Sequence, residues 1–159
     1  MKDSTMEDSS MKDNNMEDNN IDASMVKPQV LVGDIDGSGS YNIGGSITID
    51  TVMDLKGGEI VDVARLRFDV QPVSAPGPYL YLSKRPFSET RDANLNEEDV
   101  WIPIEGVENG SFTKGGMFEQ ILDEIGNVQD LKEYEGGSFI IWCRPFGVWL
   151  GGGTIEASN

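Results

Sequence analysis

Hydrophobic and polar residues alternate along much of the chain after residue 28, the period of two expected of half-buried β-strands. Tyr41 to Asp50 sets Ile43, Gly45, Ile47 and Ile49 on one face and Ser46, Thr48 and Asp50 on the other. Glu59 to Val70 repeats the pattern, with Leu66, Phe68 and Val70 opposed by Arg65, Arg67 and Asp69. Pro28 to Val32, Tyr79 to Ser83, Val100 to Ile104, Ser138 to Arg144 and Phe146 to Leu150 read as further strands. Turn signals separate them: Asp36-Gly37, Gly57-Gly58, Ala75-Pro76-Gly77-Pro78, Asn109-Gly110 and Gly151-Gly152-Gly153. Many short strands at close spacing predict an all-β domain, antiparallel and sandwich-like or barrel-like. Met117 to Gly126 reads two ways. Phe118, Ile121, Leu122 and Ile125 have helical spacing, whereas Phe118, Gln120 and Leu122 alternate as in a strand.

The opening of the chain has a different texture. Its first twenty residues are the pentads MKDST, MEDSS, MKDNN and MEDNN, with Met at 1, 6, 11 and 16. A period of five matches neither helix nor strand, so no continuous apolar face can form. Residues 1–27 are therefore expected to be a disordered acidic tail, and residues 28–156 the β domain. The repeated thioethers admit a Cu(I) array, since soft ligands select that ion, or a plain solvating tether. Met1 to Met25 lacks the apolar run of an export signal, and no apolar stretch approaches the ~20 residues of a membrane span.

Composition narrows the chemistry. The chain of 159 residues holds 12 Lys and Arg against 28 Asp and Glu, a net charge of −16. That charge argues against a nucleic-acid backbone as partner and against an anionic lipid surface. There is no His, which excludes a Ser-His-Asp triad, a His-liganded metal and axial His ligation of haem. The single Cys excludes an internal disulfide, a CxxC redox pair and a thiolate zinc cage. No catalytic set is evident, so a carrier or binding domain is expected rather than an enzyme, and a monomer rather than an assembly.

A few residues could still carry chemistry. Asp34, Asp36 and Ser38, with Gly39 after them, resemble the start of a calcium loop, but Gly45 stands where a bidentate Glu is required. Glu97-Glu98-Asp99 and Asp123-Glu124 read as solvated charge runs. The stretch from Ser138 to Leu150 says more. If extended, it puts Phe139, Ile141 and Cys143 on one face and Ile140 and Trp142 on the other, so both faces are apolar and the strand is central. Cys143 then has two readings. It is a small buried hydrophobe, or a thiolate stabilised by Arg144 that exchanges electrons or ligates a metal or haem iron.

The run Phe139-Ile140-Ile141-Trp142-Cys143-Arg144-Pro145-Phe146-Gly147-Val148, preceded by Tyr134 and closed by Gly151 to Ile155, resembles the C-terminal signature of the DM-thirteen (electron-transfer DM) domain family. Upstream, Gly45-Ser46-Ile47-Thr48-Ile49 is similar to the family's Ser-Gly strand. Gly77-Pro78-Tyr79-Leu80-Tyr81-Leu82-Ser83 is similar to its Gly-Pro-Asp-Leu-Tyr-Val-Tyr-Leu segment, with Tyr79 where the family has Asp. The resemblance implies a β-sandwich-like, extracytoplasmic domain that passes electrons to a partner protein through its lone cysteine, as free thiol or haem ligand. Cys143 would be the working atom, Arg144 its cation, and Trp142 and Trp149 its shield. The alternative is a non-catalytic binding or adhesion module on a flexible tether, with Trp101, Tyr79 and Tyr81 either lining a shallow ligand face or packing between strands.

Overall fold

The computed structural model describes residues 29–37, 43–71, 78–91, 95–104 and 116–159. The pentad tail, Ser38 to Asn42 of the calcium-like loop, and the turns at Ala75 to Gly77 and Asn109-Gly110 lie outside them. The described residues form an antiparallel β-sandwich. One five-stranded sheet, sheet A, has the order β10-β1-β3-β4-β7; the other, sheet B, has the order β2-β9-β8-β5-β6. Sheet A contains β1 (Leu31–Asp34), β3 (Gly45–Lys56), β4 (Glu59–Val70), β7 (Gly116–Ile121) and β10 (Glu156–Ala157). Sheet B contains β2 (Asp36–Gly37), β5 (Pro78–Ser83), β6 (Val100–Pro103), β8 (Ser138–Cys143) and β9 (Val148–Thr154).

The sequence periodicity explains the layers. Ile47, Ile49, Leu66 and Phe68 point inward from sheet A, and Leu80, Leu82, Phe139 and Ile141 point inward from sheet B; each is 1% exposed or less. Burying side chains of this size contributes about 2 kcal/mol apiece. Strand β8 lies in the middle of its sheet, as its two apolar faces predict. Residues 117–121 of the ambiguous segment belong to strand β7, while Leu122 and Ile125 beyond it are buried.

Two turn assignments are corrected by the structure. Asp36-Gly37 is strand β2, paired with Gly151 and Gly152. Gly151-Gly152-Gly153 is not a turn but the buried middle of β9. A Cβ on Gly152 would lie 2.3 Å from the Phe139 carbonyl oxygen, and one on Gly153 would lie 2.2 Å from that of Asp34. The triple glycine therefore permits a backbone approach that side chains would forbid. It serves the corner where both termini change sheets: the chain leaves sheet A at Ile35 and returns to it at Ile155. Gly57-Gly58 is the turn expected of it. Both residues have positive φ, and they join β3 to β4 in an unbroken register from Gly45↔Val70 to Lys56↔Glu59.

Candidate functional site

Strand alternation separates the residues that the sequence groups around Cys143. Cys143 ends β8 opposite Pro78 and Val148, is 3% exposed, and belongs to the hydrophobic core between the sheets. Trp142, one residue earlier, is paired with Tyr79 on one side and Trp149 on the other, so all three lie on the outer face of sheet B. A bulge between Ile141 and Trp142 lets Leu150 turn inward and keeps Trp149 out.

The strand ends at Cys143 rather than at Arg144. Pro145 cannot donate to a ladder, and Arg144–Phe146 form a 3₁₀ turn closed by Gly147 at φ 62°. This turn swings the Arg144 guanidinium over the outer face. Its Cζ lies 5.2 Å from the Tyr79 ring centroid and 4.9 Å from that of Trp101, and the two rings are themselves 5.3 Å apart. The cation thus rests on aromatic faces, while the Cys143 side chain lies in the core. Phe146 is carried to the surface at 69% exposure, and Trp101 is 47% exposed. The sequence reading placed Phe146 at the start of the last strand, but β9 begins only at Val148 and Phe146 belongs to the turn before it. The Pro-Phe-Gly that follows Arg144, which forces a tight turn with its middle residue outward, was the signal for it.

The rest of the outer face is roofed and braced. Helix α1 (Phe87–Thr90) lies over β8 and β9, with Phe87 6.4 Å from Trp149 and close above Gly152. Trp149 donates its indole N–H to the Gly151 carbonyl at 2.8 Å. A buried hydroxyl pair, Thr90 and Ser138 at 2.7 Å, ties the helix to β8, and Ser138 also donates to the Arg85 carbonyl at 2.8 Å. Arg85 in turn reaches Asp99 at 2.7 Å, just ahead of β6 and Trp101. Asp99 therefore departs from the expected solvated run: its side chain is 3% exposed and anchors the β6 entry. Asp123, by contrast, stays exposed and pairs with Lys56.

The opposite outer face, on sheet A, is ionic. Arg65 meets Asp50 through two bonds of 2.9 and 2.7 Å, Arg67 reaches the same carboxylate at 3.0 Å, and Glu119 lies 3.6 Å from Arg65. The Arg65 hydrogen bonds hold the Asp50 carboxyl below its ordinary value. Elsewhere, burial pushes the Tyr134 phenol up.

The residues do not fit a haem. Iron ligation at Cys143 needs an open approach to its sulfur, and that sulfur faces a packed core with Trp149 on the other side of the sheet. Asp34 and Asp36 are both exposed but belong to strands of different sheets, and only Asp34 borders the open cleft of about 420 Å³ at the β10–β1–β3 edge. Among the described residues, no three acidic or thiol groups converge as a metal site would require. What the geometry does offer is an aromatic surface with a cation stacked on it.

No family model matches the chain, and no curated protein matches it. The DM-thirteen resemblance rests on the motifs quoted above. Among solved structures, the chain is similar to the Cu(II) form of Candida albicans superoxide dismutase 5, with 14% identity, a TM-score of 0.49, and coverage of 83% of this chain and 94% of that one.

Proposed function

We propose that this chain is a non-catalytic binding module whose ligand face is the outer surface of sheet B around Tyr79, Trp101, Arg144 and Phe146. One observation supports the reading above others. All three tryptophans of the chain, with Tyr79 and Tyr81, lie on a single outer face instead of in the core. Rings used only for packing belong inside, where they remove the most area from water. Here Trp101 and Phe146 remain accessible beside a stacked guanidinium, whose edge can still donate hydrogen bonds while the rings take an apolar face. A ligand with a flat apolar side and acceptor oxygens suits that pairing, and glycans are the first class to examine. Titration of tryptophan fluorescence against a glycan panel tests this. A saturable change that is lost in Trp101→Ala is the expected result; a flat response from every member of the panel overturns the glycan reading.

Electron transfer through Cys143 is the second reading, carried by the family resemblance. It requires the thiol to be reached, although the side chain is 3% exposed on the core side of β8. Native-state alkylation decides it: labelling as fast as that of a free thiol favours a redox role, and labelling only after denaturation removes it. Both readings keep the extracytoplasmic placement that the resemblance implies, which fractionation of the producing cells tests.

A further inference from the structure

The β3–β4 hairpin outgrows its sandwich. Strand β1 is registered only with Ser46 to Ile49, and β7 only with Arg65 to Val70. Among the described residues, no strand flanks the outer part, from Val52↔Val63 to Lys56↔Glu59, which projects as a two-stranded arm. The arm carries the core-facing pattern past the end of the core. Met53, Leu55 and Ile60 continue the face of Ile49 and Leu66, Leu55 and Ile60 are direct cross-strand partners, and the three are 78%, 68% and 73% exposed. Two-stranded ribbons are marginal in water, and natural edges are usually blunted by Lys, Pro or bulges. This arm has one lysine, Lys56, whose charge is engaged by Asp123. Asp54, Glu59 and Asp62 leave it acidic. Asp54 accepts from the Leu55 amide at 2.9 Å, covering part of the edge.

A second copy suits this surface poorly. The exposed apolar area is a few hundred Å², short of the roughly 800 Å² per partner of a stable interface. Each copy would also bring the same three acids, on a chain of net charge −16. We propose that the arm docks a partner segment that is extended, apolar at alternate positions and basic at the others. Its apolar residues would cover Met53, Leu55 and Ile60, its cations on the opposite face would meet Asp54 and Glu59, and its backbone would extend the sheet.

The test uses the full chain and two ten-residue probes of equal charge, one alternating Lys with Val and one alternating Lys with Ser. Binding is followed by fluorescence anisotropy. The Lys/Val probe is expected to bind at least tenfold more tightly than the Lys/Ser probe. The doubly substituted chain L55S/I60S, checked for an unchanged near-ultraviolet dichroism, should abolish that preference, and Asp54→Lys should weaken the Lys/Val probe while leaving the apolar face of the arm in place. Equal binding of both probes would overturn the proposal, as would a preference that survives in L55S/I60S. Sedimentation showing a dimer that depends on Leu55 and Ile60 would assign the surface to a second copy. Slow amide exchange at Met53 and Leu55 in the isolated chain would show an edge already filled from within, and would overturn it too.

Discussion

The two outer faces of this sandwich both use arginine, and they use it in opposite ways. On sheet A, Arg65 and Arg67 converge on one carboxylate, Asp50, with Glu119 nearby. Those charges satisfy one another and leave little for a ligand. On sheet B, Arg144 lies over the Tyr79 and Trp101 rings, and among the described residues no carboxylate pairs with it. A cation held by aromatic faces keeps its N–H edge available, whereas a cation forked onto a carboxylate has spent that edge. The first face therefore reads as internal bracing and the second as a surface open to a partner. That distinction can be attacked by mutation.

The largest effect is expected where the backbone sets the spacing beneath the aromatic face. Gly152 lies under Phe87, and any Cβ there meets the Phe139 carbonyl oxygen at 2.3 Å. That oxygen is main chain and cannot rotate aside. Gly152→Val should cost at least ~3 kcal/mol, read as a fall in the urea midpoint and a loss of tryptophan near-ultraviolet dichroism. Gly57→Ala at the arm tip has nothing within 4 Å of its Cβ and strains only a φ of 61°, so about 1 kcal/mol is expected. Equal costs would mean that sheet B does not depend on the close approach. Next comes Asp50→Ala, which leaves two guanidiniums facing each other without their shared anion. The side chains are partly screened, at 12%, 25% and 37% exposure, so about 2 kcal/mol is expected instead of the full cost of breaking a buried pair. Denaturant unfolding monitored by fluorescence measures it.

Much of this arrangement was legible in the alternation of residues. Ile47 and Ile49 against Ser46, Thr48 and Asp50, and Leu66 and Phe68 against Arg65 and Arg67, define the inner and outer faces of sheet A before any coordinates. Sheet B was less legible for physical reasons. Three consecutive glycines carry no face of their own, so Gly151 to Gly153 look like a turn, although they mark the close crossing at Phe139 and Asp34. The aromatic site was harder still. Its members lie on β5, β6, β8 and the turn after β8, and only strand register brings Tyr79 beside both Trp142 and Pro103. Sequence adjacency suggested Arg144 as a partner for Cys143, but it gave no sign that the turn at Pro145 would stack the guanidinium on Tyr79 and Trp101.

Arg144→Ala tests the functional half of the contrast. The guanidinium stacks at an exposed position, so its loss should cost under about 1 kcal/mol of stability, less than half the Asp50→Ala effect. Any ligand-induced tryptophan signal should nevertheless fall at least tenfold in apparent affinity. A large loss of stability with unchanged ligand response would reverse the assignment, making sheet B the braced face.

The smallest difference lies in acid. Arg65 holds the folded Asp50 pKa below its ordinary 3.8. A carboxylate depressed in the folded state contributes stability that is fully present above its unfolded pKa, and loses it as pH falls through the folded value. The stability gap between wild type and Asp50→Asn should thus stay constant from pH 7 to about 5, then shrink below 3.8 as the wild-type carboxyl takes up its proton. Arg144→Gln offers the control. Among the described residues its contacts are aromatic rings and not a carboxylate, so its smaller gap should not bend near 3.8. Urea midpoints collected at half-unit pH intervals for the three proteins resolve the difference. A bend in the Arg144→Gln series would place an acidic partner on the aromatic face, and that face would then be bound by the same kind of charge pairing as its counterpart on sheet A.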